Sequence, residues 1–260
     1  MRENIVNIIR HWDLILSFAR RDIKARYKQT ALGIAWSLLQ PLSMMIVFTL
    51  VFSLFAKVPS DGVPYPVFAY SALIFWTFFS NAINGGTGAM VSNATLIRKI
   101  YFPRETLLIS VLLAGLLDLG VAAILFVGML VYYKIALTLA ALWVVPLLLL
   151  QITLTFAVIS LTSAAHVNFR DMGHALPLVV QLWMFATPVA YPISVIPGWL
   201  RPYYLLNPMA AIIEGYRNAL IMGTSPNLPA LGVSVAVTII LTGLALSVFK
   251  RAARTFADVI

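Results

Sequence analysis

Apolar residues run along this chain in long blocks separated by short polar punctuation. Six blocks stand out, at roughly 33–55, 67–91, 106–133, 139–165, 176–191 and 228–249. A helix needs about 20 mostly apolar residues to cross a bilayer core of about 30 Å at 1.5 Å per residue. The pattern therefore predicts an all-α integral membrane protein with six transmembrane helices, the fifth of them short.

The polar stretches between the blocks carry patterns of their own. In "SNATLIRKIYFPRET" (92–106), Leu96, Ile97, Ile100 and Tyr101 fall at i, i+1, i+4 and i+5 and form one stripe of a short helix over 94–102. Ser92 or Asn93 is placed to cap its start, and Pro103 pushes Phe102 out of helical geometry at its end. A loop that only reverses the chain needs a few polar residues. An amphipathic helix leaves an apolar stripe, either for a docked partner or for the lipid surface.

Ahead of the first block, "NIVNIIRHWDLILS" repeats Ile5, Ile8, Ile9, Trp12, Ile15 and Leu16 at helical spacing. This predicts an amphipathic helix in the membrane interface within a segment spanning 1–32. The segment lacks the short apolar core and small-residue cleavage site of a signal peptide, so no cleavage is expected. Five cations follow within Ala19–Thr30. They suit a basic elbow held by anionic lipid at about 1 kcal/mol per cation; a cytosolic partner or an anionic headgroup is the alternative.

Between the last two blocks the chain is rich in proline yet contains "NPMAAIIEGYRNALIMG". Asn207 is set to cap a helix, Pro208 takes its first position and Gly223 ends it. Ile212, Ile213, Tyr216, Ala219 and Leu220 make an apolar face, with Glu214 and Arg217 at i, i+3 on the polar side. About 15 residues give roughly 22 Å, too short to span. With the short fifth block this reads as a re-entrant hairpin over 192–223 at the outer leaflet, where irregular backbone must be buried or line a water-filled cavity.

Composition agrees with a lipid-dissolved chain: 61% of the 260 residues are hydrophobic and 10% charged. The net charge of +9 does not point to nucleic acid, because of where the cations lie. With both termini inside, the inner segments hold 14 of the 18 Lys and Arg, and only Lys57, Lys134, Arg201 and Arg217 fall outside. Cations collect in short cytoplasmic loops, so the expected orientation is N-in, C-in. There is no cysteine, and His11, His166 and His174 show no metal-ligand spacing. Asp118 is the one carboxylate in mid-span. It should face the bundle, and since no span carries a cation its expected state is a neutral acid bonded to a carbonyl or a hydroxyl. The glycine cluster "NGGTGAMVSN" (84–93) lacks the lysine of a phosphate-binding loop and suits close helix packing. Aromatics such as Trp36, Phe79, Trp183 and Tyr191 are candidates for sugar-stacking positions along a conduit, although lipid-facing belts account for many membrane aromatics.

Six stretches taken together resemble the permease subunit of ABC type-2 exporters: "RRDIKARYKQTALGIAWSLLQP", "LIRKIYFPRE", "NFRD", "TPVAYP", "NPMAAIIEGYRNAL" and the ending "RTFADVI". The similar branch exports lipid-linked polysaccharides and polyol phosphates: O-antigen, capsule and teichoic acid. The resemblance implies a homodimer of permeases carrying two cytosolic ATPase subunits, which bind ATP and Mg, with no cofactor in this chain and no enzymatic activity of its own. It implies that Leu96, Ile97, Arg98, Lys99, Ile100, Tyr101 and Phe102 form the coupling helix seated in the ATPase. It also implies an external gate with Pro192, Trp199, Asn207, Pro208, Glu214, Tyr216 and Arg217. An exporter of drugs or plain lipids stays open as an alternative. A stand-alone secondary transporter would need several intramembrane ionisable groups, and Asp118 alone does not supply them.

Overall fold

The computed structural model describes residues 11–28, 30–254 and 256, and among these all regular structure is helical. In chain order the helices are α1 (Trp12–Tyr27), α2 (Gly33–Phe55), α3 (Tyr65–Ser92), α4 (Ala94–Lys99) and α5 (Glu105–Tyr132). They are followed by α6 (Leu139–Asn168), α7 (Met172–Phe185), α8 (Arg201–Leu205), α9 (Pro208–Arg217) and α10 (Leu228–Ala253). A wider π turn, Asn218–Met222, prolongs α9, and another, Thr49–Phe55, ends α2.

Five helices (α2, α3, α5, α6 and α10) are long and apolar enough to cross a membrane. The expected short fifth span is the exception, and its bounds are corrected. In place of a span over 176–191, α7 covers 14 residues, about 21 Å, and stops at Phe185. Pro188 disfavours helical backbone at Thr187, and the chain turns from there to Pro192.

Side-chain caps mark the starts of α9 and α10. The Asn207 side chain accepts from Met209 N at 3.1 Å, with Pro208 at the first helical position, and Asn227 accepts from Ala230 N at 3.2 Å. Gly223 closes the turn after α9 at φ +67°, and a Cβ there would lie 2.9 Å from Thr138 Cγ2.

α3 is the centre of the bundle. Of its most apolar stretch 78% is buried, against 11% for α2 and 17% for α10. It packs on α5 and α6, with α7 and α9 closing over it. The glycine cluster works as expected at Gly86, where a Cβ would meet Ile159 at 3.0 Å, and at Gly85, which lies against Val111; Gly88 faces open space. Hydroxyls in this core turn back on their own helices: Thr87 donates to Ile83 O at 2.8 Å and Thr155 to Gln151 O at 2.6 Å. With no water in the hydrocarbon region, such internal bonds are how polar groups are satisfied.

α1 is bound to the bundle along α5, in the same direction. Phe18 packs edge-on against Phe102 at 5.7 Å, Ser110 donates to Asp22 at 3.1 Å, and Arg26 and Tyr27 both reach Asp118. The basic stretch read as an elbow is thus helical as far as Tyr27. Its described cations Arg20, Arg21, Lys24 and Lys28 are exposed, while Ile15, Phe18 and Ala19 are buried. The expected apolar positions Ile5, Ile8 and Ile9 lie outside the described residues.

Candidate functional site

The loop between α3 and α5 is shorter and less regular as a helix than its sequence suggests. α4 ends at Lys99, and Ile100 is extended (φ −133°, ψ 136°), so 94–102 is corrected to a six-residue helix with an extended tail. Pro103 restrains the residue before it, and the unwinding reaches back to Ile100. The apolar stripe therefore divides. Ile97 and Phe102 are buried against the bundle, whereas Ile100 and Tyr101 are 57% and 92% exposed. Arg98 and Lys99 are exposed beside them, and Arg104 lies over the Tyr101 ring at 6.0 Å. Asn93 holds the capping position but donates backward to Ala89 O at 2.8 Å. The loop is anchored by two residues and presents two large side chains outward with two cations.

The segment 186–223 folds back on itself around Asn207. That amide donates to Ala186 O at 3.1 Å and Thr187 Oγ1 at 3.0 Å, while Trp183 Nε1 donates to its carbonyl oxygen at 3.0 Å. Arg217 joins the other end. Its guanidinium donates to the Pro188, Val189 and Tyr191 carbonyls and lies over the Phe68 ring at 3.7 Å. The expectation that Arg217 sits with Glu214 on a water-facing side is corrected: Arg217 is 4% exposed and makes no salt bridge with Glu214. Burial raises the Glu214 carboxyl above its usual value, with the Arg217 charge opposing the rise. The apolar face is as expected, since Ile212, Ile213, Tyr216 and Ala219 are buried. Tyr216 stacks on Phe75 at 3.5 Å and donates to Gln151 Oε1 at 2.9 Å; Gln151 in turn donates to Phe75 O at 2.8 Å. Pro192 and Pro208 are buried, and Trp199 is 72% exposed.

Of the four aromatics expected along a conduit, three serve the protomer's own packing. Phe79 is fully buried against Trp76 and Trp183, which corrects its assignment as a lining residue. Trp183 is half-buried and spends its N–H on Asn207, and Tyr191 donates to Phe185 O at 2.6 Å. Trp36 is 52% exposed. It borders a cavity of about 260 Å³ between α1, α2, α3 and α5, which also contains Asp118. The expected neutral Asp118 is corrected as well. A hydroxyl does reach it, from Tyr27, but Arg26 pairs with it too, because α1 brings a cation alongside a helix that has none of its own.

Residues 13–221 match the family described as ABC-2 type transporter. The chain belongs to that family. It is 32% identical over 250 residues to an O-antigen export system permease protein of Myxococcus xanthus, covering 94% of each chain. A Klebsiella pneumoniae protein of the same description is 30% identical over 254 residues, covering 96% of this chain and 95% of the relative. The polysialic acid transport protein KpsM of Escherichia coli is 26% identical over 210 residues, covering 78% and 79%. The chain is accordingly a multi-pass protein of the inner membrane.

In this ABC-2 type transporter the sequence alone missed two connections between helices. Gln151 was not singled out, although a polar residue inside an apolar block is itself a signal of a buried partner. Arg26 stood in a run of cations read as one surface feature. The detectable signal was periodicity, since at helical spacing Arg26 shares a face with Phe18, Ala19 and Asp22, all turned toward α5.

Proposed function

We propose that this chain is the membrane-spanning permease of an ATP-driven exporter that moves a lipid-linked polysaccharide or polyol phosphate out of the cytoplasm. The observation that carries the reading is the near end-to-end similarity to two O-antigen export permeases. The permease works as a homodimer with two cytosolic ATPase subunits that bind ATP and Mg. Residues 33–260 form the transmembrane domain, and residues 1–32 form the cytosolic interface segment. Both termini lie inside, and the short α7 together with the hairpin after it takes the place of a complete sixth crossing.

Each site follows from its surroundings. Ile100 and Tyr101 enter the ATPase, with Arg98 and Lys99 beside them; Leu96, Ile97 and Phe102 transmit its movement because they pack on the core of the bundle, Phe102 against Phe18 of α1. A carrier-linked polymer is amphipathic, so its glycan needs a hydrated path that closes at the outer face when idle. The hairpin 192–223 is that closure. Asn207, Pro208, Tyr216 and Arg217 hold its shape, with Pro192 buried and Glu214 half-buried beside them, while Trp199 is exposed. Trp36 is the aromatic best placed to meet substrate.

Deleting the gene tests the reading. Carrier-linked glycan is expected to accumulate inside the cells while surface glycan disappears, and the intact gene is expected to restore it. Unchanged surface glycan together with a changed profile of exported drugs or lipids would favour the alternative substrate class.

A further inference from the structure

The cavity between α1, α2, α3 and α5 sets several polar side chains among apolar walls, and those polar groups are unequally used. Its lining includes Arg26, Asp118, Trp36, Gln40, Asn81 and Thr77. Arg26 and the Tyr27 hydroxyl both serve Asp118, so one positive and one negative charge cancel there. Gln40 and Asn81 are joined by a single bond of 3.2 Å from Asn81 Nδ2 to Gln40 Oε1. That bond leaves the Gln40 amide nitrogen and the Asn81 carbonyl oxygen without a hydrogen bond among the described residues. A donor and an acceptor therefore stand side by side next to the half-exposed face of an indole.

This arrangement selects by chemistry. A phosphate would find its one candidate cation already neutralised by Asp118. An acyl chain offers neither free amide group a partner. A sugar ring matches, since adjacent hydroxyls both donate and accept and one face of the ring is lined with C–H groups that stack on an aromatic plane. Drug-sized pockets begin at about 300 Å³, and this one, at about 260 Å³, has room for one ring.

We propose that the cavity is a binding site for a single neutral sugar unit of the exported chain, held by Gln40, Asn81 and Trp36. This rests on the polysaccharide reading above. All of its lining residues belong to one protomer, so each half of the transporter has its own site.

The chain has no cysteine of its own, which permits a direct test. Ser37 also lines the cavity, while Ser43 lies one to two turns further along α2 on its outward surface. Ser37→Cys and Ser43→Cys are made in the full permease–ATPase complex and treated with N-ethylmaleimide. Membranes come from cells that make the glycan and from cells in which its synthesis is blocked. A site about nine-tenths occupied slows labelling about tenfold, and this is expected at position 37 only when glycan is present. Labelling at position 43 should not change, and Asn81→Leu should remove the protection at 37. If Ser37→Cys does not accumulate, Thr77→Cys takes its place. Equal labelling with and without glycan overturns the proposal; slow labelling in both membranes would mean that a phospholipid headgroup fills the cavity. Surface glycan is measured in the same cells. Export without protection removes the sugar site and leaves the exporter reading standing, whereas normal export without the permease removes both.

Discussion

A carboxylate halfway along an apolar helix costs about 2.5–3.5 kcal/mol to insert on translocon scales, and Asp118 meets that cost with partners from another helix. Arg26 and Tyr27 follow one another at the end of α1, and both bond the same carboxylate. Losing one partner of a buried pair leaves an uncompensated charge. Because Arg26 is about one-third exposed, water softens the effect. Replacing Arg26 by methionine should therefore lower stability by about 2 kcal/mol, less than the 3–5 kcal/mol of a fully buried pair. Adding Asp118→Asn should recover most of that loss, since no unpaired charge then remains. Thermal unfolding of the purified permease in detergent measures both. Equal stability of Arg26→Met and the parent would show that the pair contributes nothing net.

The helices show which features a sequence reveals and which it conceals. Ile100 and Tyr101 are 57% and 92% exposed, so replacing both with Asp should dissociate or uncouple the ATPase without unfolding the permease. A double mutant that unfolds no more readily than the parent, yet still co-purifies with the ATPase and exports normally, would refute the coupling assignment. The same change at Ile97 or Phe102 would damage folding, and the residue pattern did not separate the two pairs. Helical spacing put all of Leu96, Ile97, Ile100 and Tyr101 on one stripe, but an extended backbone at Ile100 reverses which side chains face in. Four of the long spans were legible to within a few residues, and the first matched at both ends, because length and apolarity suffice. The fifth block was not, since apolar composition continues through Pro188 where the helix does not. In the hairpin, the cap at Asn207 and the stop at Gly223 could be read from local residue types. The burial of Arg217 could not, because its partners are backbone carbonyls of 188–191, which no sequence pattern displays. The burial of Tyr216 also decides where a gate test belongs. A cysteine there would sit inside the protomer, so the link to the symmetry mate should be made through Trp199 or Tyr203, which are 72% and 67% exposed. Cross-linked dimers are expected to keep their ATPase and lose export, and normal export through a fully linked dimer would reduce the hairpin to a passive loop.

For the whole molecule, orientation follows from a charge distribution that packing does not dictate. The contacts between α3 and α6, such as Thr87 with Thr162 at 2.6 Å and Gln151 with Phe75 O at 2.8 Å, lie within the protein and are the same whichever end of the bundle faces the cytoplasm. What breaks the symmetry is the excess of Lys and Arg at one end. Arg98, Lys99 and Arg104 follow α3, Arg170 follows α6, and Lys250, Arg251 and Arg254 close α10 or follow it. Arg20 and Arg21 of α1 lie toward the same end, because Phe18 meets Phe102 beside the α4 loop, while Arg26 is paired with Asp118 further along α5. The opposite end holds the hairpin, and its buried cation, Arg217, is engaged by carbonyls and so adds little to the field at the membrane surface. The effective asymmetry is therefore steeper than 14 to 4. Single cysteines at Ala94 and near the C-terminus should be sealed from an impermeant thiol reagent in intact cells, while cysteines at Ser60 and Ser225 should react. Permeabilising the cells should expose the first two. Reaction at position 94 in intact cells would invert the molecule, placing the Ile100–Tyr101 surface outside, beyond the reach of any cytosolic ATPase, and the exporter mechanism would fall with the orientation.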